Sequence, residues 1–75
     1  MRLLDVEVGK WVRVTAFDGS ERSQERLAQH GLYPGDRARI LRAAPLQGPL
    51  LVEVSGRELA LGRAVAQNIL VENVE

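Results

Sequence analysis

The sequence predicts a mainly β fold: a small barrel of about five short strands, with an α-helix inserted near residues 20–30 and a short helical turn near 63–67. Three observations carry this reading. Short runs alternate apolar and polar side chains, the period of a strand with one buried face. Glycine and proline pairs fall between those runs, where turns are needed. One stretch, Ser20 to His30, is polar, rich in Glu, Gln and Arg, and free of β-branched residues.

The strands follow in chain order. In Trp11 to Ala16, the residues Val12, Val14 and Ala16 share one face. In Arg37 to Ile40, the arginines point one way and Ala38 and Ile40 the other. Leu50, Val52 and Val54 form the third apolar face, Leu59 and Leu61 the fourth, and Ile69 and Val71 the fifth. Strands that each bury one face must close on one another to make a core. Ser55-Gly56 suits a two-residue hairpin loop. Pro34-Gly35 suits a type II turn, because proline presets the first central φ and glycine accepts a positive φ at the second. Pro45 to Pro49, with Gly48, is a looser connection.

The helix has its own signals. Ser20 is placed to cap its start, and Glu21 favours the first turn. Gly31 is placed as the terminating glycine, with Leu32 folding back as the hydrophobic contact after it. Only Leu27 and Ala28 are apolar, so the helix should lie on the surface, pinned by about one residue.

Composition bounds the function. The chain has 75 residues, which reads as one domain spanning 1–75. A domain of this size buries roughly 60% of its unfolded surface, leaving a core of about a dozen apolar side chains. Cysteine is absent, which excludes disulfides, thiol chemistry and cysteine-bound zinc or iron–sulfur centres, and fits a reducing compartment. Residues 1–9 carry Asp5 and Glu7 and do not read as a signal peptide, and no apolar run approaches the ~20 residues that span a bilayer. A cytoplasmic location is expected. Ten basic residues balance ten acidic ones, which opposes binding to nucleic acid through bulk charge. Catalysis is not expected: Ser20, Ser23 and Ser55 share a single histidine in the chain, and no glycine-rich phosphate loop is present.

The ordered series of features resembles the FeoA family, the small ferrous iron transport protein A. It runs from Leu3-x-x-Val6-x-x-Gly9 through Arg26-Leu27-x-x-x-Gly31-Leu32-x-Pro34-Gly35, the most specific segment. It continues through Pro49, Val52, Val54 and Gly56 to Leu59-Ala60-Leu61, Ala66, Ile69 and Val71. The resemblance covers nearly the whole chain. It implies an SH3-like barrel and a cytosolic accessory role for FeoB, the membrane protein that carries a GTPase domain and moves ferrous iron. The barrel is also similar to the C-terminal domain of DtxR-type metal-dependent repressors. His30 departs from the pattern by standing where an apolar residue is expected.

Candidate residues fall into three groups. Leu27, Gly31, Leu32, Pro34, Gly35 and Gly56 are structural. Arg26, His30, Tyr33, Arg37 and Arg39 are the candidates for contact with a partner, with the helix and the loop at Gly31 to Gly35 as the docking region. His30 is the single weak candidate for a metal ligand, for Fe(II) or another divalent transition metal. Glu21 and Glu25 lie nearest, but Glu25 is five residues away and does not share its face. A helix-terminal histidine interacting with the helix dipole or with solvent is the better account of His30. The function expected is an interaction module on a FeoB-like transporter, at the inner face of the membrane when its partner recruits it. The alternatives are the metal-sensing barrel of a repressor, if the chain is a fragment, and a small nucleic-acid-binding barrel. Exposed strand edges leave room for a homo-oligomer.

Overall fold

The computed structural model describes residues 1–19 and 21–74. The cap expected at Ser20 lies outside the described residues. A 3-10 turn at Leu3–Asp5 precedes β1 (Trp11–Phe17), α1 (Glu21–Gln29), β2 (Arg37–Ala43), β3 (Leu50–Val54), β4 (Arg57–Leu61), α2 (Arg63–Gln67) and β5 (Ile69–Asn73). The strands form one antiparallel sheet in the order β4-β3-β2-β1-β5, an SH3-like fold as expected.

Alternation explains the core. Val12 and Val14, Ala38 and Ile40, Leu50, Val52 and Val54, Leu61, and Ile69 and Val71 all turn inward and are buried. Fifteen apolar side chains are buried among the described residues. The excess over the dozen expected comes partly from the 3-10 turn, which adds Leu3 and Val6. Sequence reasoning missed this turn because three residues are too short to show a period.

Two β-bulges curl the sheet. β1 pairs with β5 at Val14↔Val71 and then at Ala16↔Leu70, which leaves Thr15 as the extra residue. The Thr15 hydroxyl donates to the Leu70 carbonyl at 3.1 Å and holds the bulge. A bulge inverts the facing of everything beyond it. Ala16, expected on the core face, is therefore exposed, and Phe17 packs against the core in its place. The second bulge, at Leu41 between Ile40↔Val52 and Arg42↔Leu51, lets β2 run three residues past Ile40. The N-terminus covers the β5 edge: the Met1 carbonyl accepts from the Val71 amide at 2.7 Å, and Arg2 bridges Leu70.

The turns match their chemistry at all but one place. Gly35 has φ +96, and the Asp36 amide donates to the Tyr33 carbonyl at 3.1 Å, closing the turn over Pro34-Gly35. Ser55 and Gly56, at φ +52 and +76, turn β3 into β4. The exception is the β2–β3 loop. The Gly48 amide donates to the Pro45 carbonyl at 3.1 Å, and the central residues Leu46 and Gln47 sit at φ +58 and +59. Positive φ at both central positions favours Asn-Gly and strains a leucine. The double substitution Leu46→Asn/Gln47→Gly is therefore expected to raise stability by about 0.5–1 kcal/mol. An unchanged or lower Tm in a thermal melt would show that the loop carries no strain.

Candidate functional site

The exit from α1 is built by a short chain of hydrogen bonds. The Leu32 amide donates to the Leu27 carbonyl at 3.0 Å and the Gly31 amide to the Ala28 carbonyl at 2.9 Å. This is the Schellman arrangement, with Gly31 at φ +81 in the left-handed position. Leu32 folds back fully buried beside Leu27, the one buried residue of α1. The chain then turns outward. The Tyr33 amide donates to Asp36 Oδ2 at 2.9 Å, and the Tyr33 hydroxyl donates to the Ala28 carbonyl at 3.2 Å. Tyr33 is thereby fixed at both ends of its residue while the residue stays 53% exposed.

Arg57, the first residue of β4, completes the exit. Its Nη1 donates to the His30 carbonyl at 3.3 Å and its Nη2 to the Gly31 carbonyl at 3.1 Å. A guanidinium here satisfies carbonyls that the helix end leaves open and complements the negative end of the helix dipole. It also ties α1 to the β3–β4 hairpin. No pattern in the sequence links Arg57 to a helix 26 residues upstream, so sequence reasoning missed it.

His30 is exposed at this exit, with the Arg57 guanidinium on its carbonyl. Among the described residues no group of three or more His, Asp or Glu side chains is placed to hold a metal ion, and neither Glu21 nor Glu25 gathers with His30 into one.

The outer face of β1 and β2 carries the second half of the surface. Trp11 lies opposite Arg39, and Arg13 lies opposite Arg37. The guanidinium carbons of Arg37 and Arg39 sit 5.5 and 4.8 Å from the Trp11 ring centre. Arg39 also bridges to Glu53 on β3, with Nη2 to Oε1 at 2.8 Å. Trp11 was not among the candidates. Its signal was the parity of β1, which sets it on the face opposite Val12.

Trp11, Gly35, Asp36, Arg37, Ser55 and Gly56 line an open groove beside this face. Gly35 leads back to Tyr33, and Gly56 leads into Arg57 and the helix exit. Of the predicted contact residues, His30, Tyr33, Arg37 and Arg39 therefore belong to one stretch of surface, from the helix exit through this groove to the outer sheet face. Arg26 stands apart from them. With Ser23, Leu27, Ala64, Val65 and Asn68 it lines a separate cavity of about 190 Å³ between α1 and α2.

Comparisons with known proteins bear on this arrangement. Residues 1–73 match the FeoA domain. A Methanocaldococcus jannaschii protein described as a candidate Fe(2+) transport protein A is 30% identical over 67 residues, which is 89% of this chain and 79% of that protein. The solution structure of iron(II) transport protein A from Clostridium thermocellum superposes with a TM-score of 0.91 at 30% identity, over 99% of this chain and 46% of that one. This chain thus spans less than half the length of that relative. A manganese-dependent transcriptional repressor superposes with a TM-score of 0.90 over 99% of this chain and 41% of its own, and at 21% identity the likeness is one of fold alone. The match runs through the Gly31 to Gly35 exit and both edges of the sheet, and the chain belongs to the FeoA family, ferrous iron transport protein A.

Proposed function

We propose that this chain is an accessory protein of ferrous iron transport that docks on the cytosolic part of a FeoB-like membrane transporter. The family membership and the relatives named for Fe(2+) transport support the setting. The observation that carries the docking role is the helix exit. It is a hydrogen-bonded prow that carries a half-exposed tyrosine. Tyrosine on a preorganised backbone loses little entropy on contact and is favoured at interface hot spots. No helix among the described residues is long and apolar enough to cross a membrane. In this reading the transporter brings the chain to the inner membrane face. Iron is the transporter's cargo, and His30 is a contact residue first and a weak metal ligand second.

The test is affinity for the full-length FeoB-like transporter in detergent. Tyr33→Ala should weaken the complex roughly 10- to 100-fold, the usual loss for a central aromatic contact. Adding Arg26→Glu should cost little more, because Arg26 lines a different cavity. A complex untouched by Tyr33→Ala would remove the prow from the interface. No complex with the intact transporter would end the docking reading.

A further inference from the structure

Arg13 and Arg37 face each other directly across β1 and β2. Like charges in that position repel, and a sheet built for stability alone would place a carboxylate in one of them. Neither arginine has an ion-pair partner among the described residues, although Glu72 lies opposite Arg13 on β5. Arg39, one step along, is by contrast bonded to Glu53. Arg37 lies over the ring of half-buried Trp11 and lines the groove with it, and Arg13 stands beside Arg37 on β1. A side chain at Gly35 or Gly56 would meet nothing within 4 Å, so the groove walls leave space for another backbone to approach.

We infer that this face, Trp11 with Arg13 and Arg37, is a docking site for an acidic peptide segment of a partner protein. Two guanidiniums side by side on neighbouring strands at one register position offer forked donors to successive carboxylates, and the Trp11 ring under Arg37 holds that guanidinium in place. The neighbouring charges decide between kinds of partner. Glu53 and Glu58 continue the row of Trp11 and Arg39 across the sheet, Glu72 flanks Arg13, and Asp36 lines the groove. A broad polyanion, whether a membrane surface or a duplex, would press against those carboxylates, and the zero net charge gives it no compensating attraction. A short acidic strand lies on the two arginines and meets Glu72 only at the end of their row. The inference deepens the docking reading above by naming the chemistry of the partner segment.

The experiment titrates the intact chain with a hexaglutamate peptide at low salt and reads the fluorescence of Trp11, the single tryptophan. Arg13→Glu/Arg37→Glu should weaken binding at least about tenfold while the variant still melts cooperatively, because the facing pair changes the sign of its charge and keeps its mutual repulsion. Arg22→Glu/Arg42→Glu removes the same charge elsewhere and should leave binding within about twofold. Absence of hexaglutamate binding, or equal loss in both double variants, overturns the inference. So does capture by phosphatidylglycerol vesicles or duplex DNA without capture of the peptide. Measuring the transporter in parallel separates the two proposals. A transporter complex indifferent to Arg13→Glu/Arg37→Glu sinks the acidic site and leaves docking intact. Peptide binding with no transporter complex does the reverse.

Discussion

Leu27→Ala is expected to destabilise the protein by about 3 kcal/mol and to release α1 before the sheet unfolds. Truncating a buried leucine removes its transfer energy and leaves a cavity, at roughly 2–5 kcal/mol together. In most elements neighbouring residues share that load. In α1 they do not, because Leu27 is the only buried residue of its nine and Ala28 is only half-covered. A helix of nine residues is below the ~12–15 at which an isolated helix holds itself together in water. Removing the anchor should therefore melt α1 locally. Amide exchange would show this directly: protection of the later α1 amides should collapse while β3, paired on both sides, stays protected. The thermal midpoint should fall by roughly 12–24 °C, at about 4–8 °C per kcal/mol for a domain of this size. If α1 amides exchanged no faster than those of β3, the helix would have a second anchor that the packing does not reveal.

Most of the fold was legible because its signals are local. A strand with one buried face writes its period into five or six residues, and Pro34-Gly35 and Ser55-Gly56 write their φ requirements into two. The parts that were not legible depend on pairing between distant segments. Ala16 follows Val12 and Val14 in perfect alternation, and only the register against β5 reveals that Thr15 bulges and turns Ala16 outward. Leu41 hides the second bulge in the same way. The site divides along the same line. The placement of Tyr33, His30, Arg37 and Arg39 on the candidate surface was within reach because their loops and strand parity are local properties. Arg26 looked equivalent to them along the chain, yet it is an exposed residue at the edge of a different cavity, between α1 and α2. Trp11 becomes a site residue only when β2 sets two arginines over its ring, and Arg57 only when the hairpin brings β4 under the helix end.

Gly31→Ala should be as damaging as loss of the Leu27 anchor, for two separable reasons. The first is conformational: φ is +81, and a side chain in the left-handed region costs about 1–2 kcal/mol. The second is steric, since a Cβ at this position would run into the Arg57 guanidinium. Arg57 must then swing away and give up its bonds to the His30 and Gly31 carbonyls, at about 1 kcal/mol more. The expected total is about 2–3 kcal/mol. A double-mutant cycle separates the two parts. Arg57→Ala alone should cost about 1 kcal/mol, and in that background Gly31→Ala should cost only the backbone strain. A coupling near 1 kcal/mol is therefore expected from chemical denaturation of the four proteins. Strict additivity would mean that Arg57 does not hold the helix exit in solution. The same cycle read as transporter affinity has a further consequence. Arg57 is the tie between the prow that carries Tyr33 and the hairpin that forms the groove wall. Arg57→Ala should therefore weaken docking even though its guanidinium is bonded to the end of the helix.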